Sequence, residues 1–155
     1  MLCHGLVKGL LVTGVALVGA LAIAQAPVQE QALTRSVQDA QLQWGPCPPF
    51  MPAGCGLAVL HGDSGKANAD VFLKLPANAA IPEHWHTSAE RMVLIAGELS
   101  VTYKGQAMVV LKPGMYAYGP AKLPHSATCA TSASCVLFVA FESAVDAFPT
   151  AASAK

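Results

Sequence analysis

Apolar and polar positions alternate in short runs over most of this chain, and a period of two predicts strands. Residues 98–103 set Glu98, Ser100 and Thr102 against Leu99, Val101 and Tyr103, the pattern of a half-exposed antiparallel strand. Lys104-Gly105 reads as a tight hairpin turn that returns the chain through residues 106–111. Apolar runs at residues 57–60, 70–75, 91–95, 115–118 and 136–141 read as further strands, punctuated by Gly, Pro, Asn or Ser. Residues 41–44 alternate too and open the ordered part, with Trp44 covering one end of the core, while residues 37–41 are weakly patterned. Residues 45–56 hold four prolines and three glycines and read as a loop. No stretch beyond residue 24 has helical periodicity, and there are no repeats or heptads. Many short strands separated by Gly and Pro predict an all-β sandwich or barrel.

The N-terminus follows a different logic. A short segment with Lys8 precedes an apolar run over residues 10–22 and a small-residue segment with two Ala-x-Ala sites, Ala22-Ile23-Ala24 and Ala24-Gln25-Ala26. The run is too short and too rich in Gly and Ala for an anchor, so residues 1–24 are expected to be a secretory signal peptide. Cleavage after Ala24 is favoured because Pro27 would follow the second site. The expected protein is secreted or periplasmic, with no stable membrane anchor once the signal is removed. Removing 24 of the 155 residues leaves 131, one domain by length. The expected division is a flexible arm over residues 25–40, one domain over residues 41–142, and an Ala/Ser-rich tail over residues 143–155 that frays.

Charge changes the picture by exclusion. Lys8 leaves with the signal, so eight Lys and Arg face nine Asp and Glu, with no basic patch to attract nucleic acid. The apolar fraction of 54% includes the signal, yet enough Val, Leu, Ile and Phe remain for a core. Of the five cysteines, Cys47, Cys55, Cys129 and Cys135 follow the signal, and an even number in an oxidising compartment suggests disulfides. Of three pairings, the local one (Cys47–Cys55 with Cys129–Cys135) is the simplest. The competing reading makes Cys129 a redox-active or metal-proximal thiol, four residues beyond His125.

Candidate chemistry concentrates in residues 82–97, PEHWHTSAERMVLIAG. His84 and His86 are two apart, so on an extended strand both imidazoles leave one face, and Trp85 between them faces away to pack elsewhere. Glu90 follows a short Thr87-Ser88-Ala89 step that can bend the chain back. Two imidazoles and a carboxylate make a metal site once another ligand arrives. Residues 114–125, GMYAYGPAKLPH, supply His125.

These two stretches resemble the signature motifs of the cupin superfamily. His84, Trp85, His86, Glu90 and Gly97 match the spacing of the first, and Gly114, Pro120 and His125 carry the second. Asn78, Lys122 and Cys129 stand where the family usually has Gly, Gly and Asn. The resemblance implies a double-stranded β-helix, a jelly-roll barrel with the metal inside one end. It also implies a ligand set of His84, His86, Glu90 and His125, and admits a homodimer, since many cupins dimerise through exposed strands.

Three imidazoles and a carboxylate without a thiolate suit Fe(II), Mn(II), Ni(II), Co(II) or Zn(II) rather than a closed structural zinc site. The expected partner is a small-molecule substrate. Resemblance to cupin dioxygenases puts a metal-dependent oxygenase or oxidoreductase first. A metal-dependent lyase, decarboxylase or isomerase, and a non-catalytic metal- or ligand-binding cupin, are the alternatives. Tyr116 and Tyr118 share a face and are candidate catalytic phenols, with structural tyrosines as the bland alternative. Glu90, Met92 and Leu94 share a face that lines the barrel if Glu90 points inward, and Arg91 then points away. Lys122, on the approach to His125, is a candidate for attracting an anion. The cavity is expected to be apolar with few cations.

Overall fold

The computed structural model describes residues 30–150 and has no helix among them. Its strands are β1 (Trp44–Pro46), β2 (Gly56–His61), β3 (Ala69–Leu75), β4 (Ala80–Trp85), β5 (Glu90–Ala96), β6 (Leu99–Tyr103), β7 (Val109–Leu111), β8 (Tyr116–Gly119), β9 (His125–Cys129), β10 (Cys135–Phe141) and β11 (Phe148–Pro149). The strands expected near residues 57–60, 70–75, 91–95, 98–103, 115–118 and 136–141 are present, whereas of residues 41–44 only Trp44 is in a strand and the hairpin return pairs only at Val109–Leu111. Residues 125–129, given no strand by pattern, form β9.

Two antiparallel sheets result, one in the order β1-β2-β3-β10-β5-β8 and the other β11-β4-β9-β6-β7. This is the jelly-roll barrel. Each sheet turns alternate residues inward, so Val71, Leu75, Leu94, Val101, Leu111 and Leu137 meet in one buried core. Burying a side chain of this size contributes about 1.5–3 kcal/mol. β10, CVLFVAF, is apolar at every position because both its faces are covered. Leu137, Val139 and Phe141 enter the barrel, whereas Phe138 packs outside with Leu42, Ala58 and Phe72.

That outer cluster corrects the expected flexible arm. Val37 and Trp44 pack against Leu42, Ala58 and Phe72, so part of residues 25–40 is docked on the sheet. Apolar side chains at 37, 42 and 44 would otherwise be left in water. The expected signal peptide, residues 1–24, lies outside the described residues.

Both local disulfides are formed, Cys47–Cys55 and Cys129–Cys135. Cys129 is therefore no free thiol. Gly97 needs its missing side chain, because at φ 87° a Cβ would stand 2.7 Å from Cys135 Sγ. Asn78 and Lys122, the two residues that replace family glycines, both keep the left-handed backbone, with φ of 56° and 62°. Asn tolerates that conformation; Lys is strained by it.

The C-terminal segment is also not what composition suggests. From Glu142 to Thr150 it is strapped across the barrel end, where β11 pairs with β4 and Phe148 stacks on Trp85 at 4.8 Å. Ser88 Oγ accepts the backbone N–H groups of Glu142 and Ser143 at 2.8 and 3.0 Å. Thr150 donates its N–H and its hydroxyl to the Glu83 carbonyl at 3.0 and 2.9 Å. The expected fraying over residues 143–155 does not hold through residue 150; residues 151–155 lie outside the described residues.

Candidate metal centre

The site begins with an irregularity in β4. Its pairing with β9 shifts register between Ile81 and His84, so that both residues face inward although three apart. The shift sets His84 directly across from His125, and their rings lie 4.3 Å apart between centroids. His86 follows just beyond the strand, 4.9 Å from the His84 ring and 5.2 Å from the His125 ring. One ring nitrogen from each of the three lies within 4.8 Å of the others. Glu90 opens β5 on the opposite sheet and completes the group, with Oε1 3.2 Å from His125 Nε2 and Oε2 3.5 Å from His86 Nε2.

The backbone decides which nitrogen faces the centre. His84 Nδ1 lies 2.8 Å from the Pro82 carbonyl and His125 Nδ1 lies 3.1 Å from the Leu123 carbonyl, while His86 Nδ1 meets the Asp146 carbonyl. A carbonyl only accepts, so each Nδ1 carries the proton and each neutral ring turns a bare Nε2 inward. Such outer hydrogen bonds fix the orientation of metal-ligating imidazoles.

All four residues are buried. Burial drives the His84 imidazole down to about 4 and the His125 imidazole to about 3, and lowers His86 as well. Burial pushes the Glu90 carboxyl up to about 8. Glu90 Oε1 has no hydrogen-bond partner. Once Glu90 is ionised, three nitrogen lone pairs and a carboxylate converge with no donor among them. A cation satisfies that arrangement, and a divalent transition metal fits the donor set of three imidazoles and one carboxylate.

Gly119 makes room for Glu90. The two are register partners across β5 and β8, and a Cβ at position 119 would stand 2.7 Å from Glu90 Oε1. The sequence motifs gave Gly119 no role. Asp146 is a second residue that they missed: its carbonyl orients His86 and its carboxylate accepts the Thr87 N–H at 2.8 Å.

The two candidate phenols are corrected. Tyr116 and Tyr118 are 58% and 50% exposed, because β8 turns Ala117 and Gly119 inward opposite β5. The buried tyrosine is Tyr103, whose ring lies 5.3 Å from His125 and whose hydroxyl has no partner. It sits on the inward face of β6, beside His125 in register, a position that the alternation of residues 98–103 marks. Lys122 is exposed and contributes its backbone N–H to the His86 carbonyl at 2.8 Å; its side chain does not line the cavity. Arg91 pairs with Glu142 outside the barrel, as expected.

A cavity of about 240 Å³ extends from the three histidines and Glu90 into the barrel. Val71, Leu75, Ile81, Val101, Leu137 and Val139 form its walls. Met92 reaches it as expected, Pro48 and Met51 of the loop closed by Cys47–Cys55 cover one side, and Val145 and Ala147 of the strap border it.

Comparison with known proteins agrees with this architecture. The model of the ChrR cupin-like domain matches residues 33–145. No curated protein matches the sequence. Among solved structures, the DMSP lyase DddQ from Ruegeria pomeroyi DSS-3 is similar at 21% identity and TM-score 0.62, over 74% of this chain and 64% of that one. The polyketide cyclase RemF from Streptomyces resistomycificus is similar at 15% identity and TM-score 0.62, over 78% of this chain and 88% of that one. A recombinant oxalate oxidase in complex with glycolate is similar at 18% identity and TM-score 0.53, over 63% of this chain and 56% of that one. The chain spans just under two thirds of the length of the DMSP lyase chains, 63% and 64%. At these identities the likeness is one of fold.

Proposed function

Since the chain belongs to the ChrR cupin-like domain family, we propose that it is an exported metalloprotein, an oxygenase-type oxidoreductase acting on a small organic molecule. The observation that carries the reading is the convergence of three bare imidazole nitrogens and an unpaired carboxylate oxygen at the head of an apolar cavity. His84, His86, His125 and Glu90 would hold the metal. When bound, a divalent transition metal supplies Lewis acidity and, for iron or manganese, a redox couple.

The remaining work falls to the chain itself. The carbonyls of Pro82, Leu123 and Asp146 hold the imidazoles in one tautomer and orientation. The apolar walls exclude water and orient a substrate toward the donors. Tyr103 keeps an unpaired hydroxyl beside His125, the one phenol of the three tyrosines buried there. Two disulfides in a domain of this size, together with the N-terminal signal pattern, support export.

The structurally similar proteins include a lyase, a cyclase and an oxidase, so the fold alone does not choose the reaction. Oxygen uptake by the iron-loaded protein, measured across phenols, aldehydes and thiols, tests the choice. Uptake that requires iron and vanishes in His86→Ala supports the oxidoreductase. Anaerobic turnover with zinc would replace it by a lyase or isomerase. Metal binding without any turnover would replace it by a binding protein.

A further inference from the structure

The polarity of the cavity is divided sharply. Its one polar end is the cluster of His84, His86, His125 and Glu90; the remaining walls are Val, Leu, Ile, Met, Phe, Pro and Ala with the disulfide-bonded Cys47, apart from Ser64 and Asp146. No lysine or arginine among the described residues lines it. Arg91 is engaged by Glu142 outside, Lys74 sits 4.4 Å over the Trp44 ring, Lys66 pairs with Asp63, and Arg35 pairs with Asp39. Lys104, Lys112 and Lys122 are exposed.

Charge then limits the occupant. Three neutral imidazoles and one carboxylate around a divalent cation leave a single positive charge at the polar end. One negative charge on a ligand is compensated there. A second would lie in an apolar wall that no lysine or arginine among the described residues lines, and an unpaired charge buried in such walls is strongly disfavoured. Size limits it too. A cavity of ~150 Å³ lined by apolar side chains accepts benzene, and this one is about 240 Å³.

Resting on the metal-centre reading, we propose that the site takes a compact molecule of one-ring size. Its body is hydrocarbon and its head is a single oxygen or sulfur donor, neutral or singly charged. Dicarboxylates and phosphate esters are rejected for want of a second cation.

Ligand-detected NMR titrations on the zinc-loaded full chain test this with four probes: toluene, benzoate, succinate and monomethyl succinate. Toluene reports the hydrocarbon walls without the head, and benzoate reports both. The last two differ by one methyl group and one charge. The expected results are that benzoate binds at least tenfold more tightly to the zinc-loaded protein than to His86→Ala, and monomethyl succinate at least tenfold more tightly than succinate. Toluene should bind the wild type alike with and without zinc. Ala147→Phe, at the half-buried border, should weaken toluene at least tenfold with zinc content unchanged. Succinate binding as tightly as its monoester, or toluene indifferent to Ala147→Phe, would overturn the assignment. A wild-type chain that binds toluene but takes up no zinc would overturn the metal reading and the donor head with it, leaving the hydrocarbon half standing.

Discussion

Glu90 on β5 and Gly119 on β8 face each other in register, and the space left by the glycine is the space the carboxylate fills. A methyl group at 119 would meet Glu90 Oε1 at 2.7 Å and Cγ at 2.8 Å. The glycine is thus tied to the candidate metal centre through sterics rather than through a special φ.

Gly119→Ala is expected to push the Glu90 carboxylate off its position without unfolding the barrel. Metal affinity should drop about 10–100-fold, in the range seen when a group that positions a metal ligand is lost. Adding Glu90→Gln to Gly119→Ala should then cost little more than either alone. Competition against a chromophoric chelator measures this, with far-ultraviolet circular dichroism as the fold control. Full metal affinity in Gly119→Ala would refute the steric link.

Lys122 occupies a left-handed backbone position at φ 62° with its side chain exposed. Lys122→Gly should therefore stabilise the fold, by about 0.5–1 kcal/mol after the extra freedom of glycine in the unfolded chain is set against the relieved strain. Urea denaturation should show a higher midpoint at constant slope. A lower midpoint would mean that the lysine side chain contributes more than the backbone loses.

The metal-free protein has opposing pH dependences. The ordinary imidazole value is 6.5, and His84 and His125 fall to about 4 and about 3 on folding, with His86 lowered too. Below 6.5 the unfolded chain binds more protons than the folded one, so stability is lost as pH falls toward the folded values. Glu90 runs the other way, from an ordinary 4.5 to about 8. Between those values the folded chain binds the extra proton, so its stability falls as pH rises. With three groups against one, stability of the metal-free form should peak at about pH 6.5–7. Glu90→Gln should abolish the alkaline decline. Denaturation midpoints from pH 4 to 9 check both limbs, and an alkaline decline that persists in Glu90→Gln would contradict the assignment.

Much of this was legible from spacing. A two-residue interval put His84 and His86 on one face, and alternation in residues 98–103 described β6 well enough to mark Tyr103 as inward. The failure at Tyr116 and Tyr118 has a definite cause. A period of two says that they share a face; only the pairing of β8 with β5 says which face, because Gly119 must lie opposite Glu90. The strap over residues 142–150 was illegible for another reason. Its hold on the barrel is largely backbone hydrogen bonding to Ser88, Glu83 and Ser64, which leaves no periodic trace in an Ala/Ser-rich stretch. Asp146 acts on His86 through its carbonyl, and no choice of side chain advertises that. The sequence left the cysteine pairing open among three; the local pairing, with separations of 8 and 6, was the simplest, and it is the one formed.

Whether the four residues hold a metal is decided by the metal content of the protein purified from its own cell compartment, with His86→Ala prepared beside it. Wild type should carry about one divalent transition metal per chain, lost in the substituted protein while the fold is retained. Substoichiometric metal that His86→Ala leaves unchanged would contradict the centre of His84, His86, Glu90 and His125.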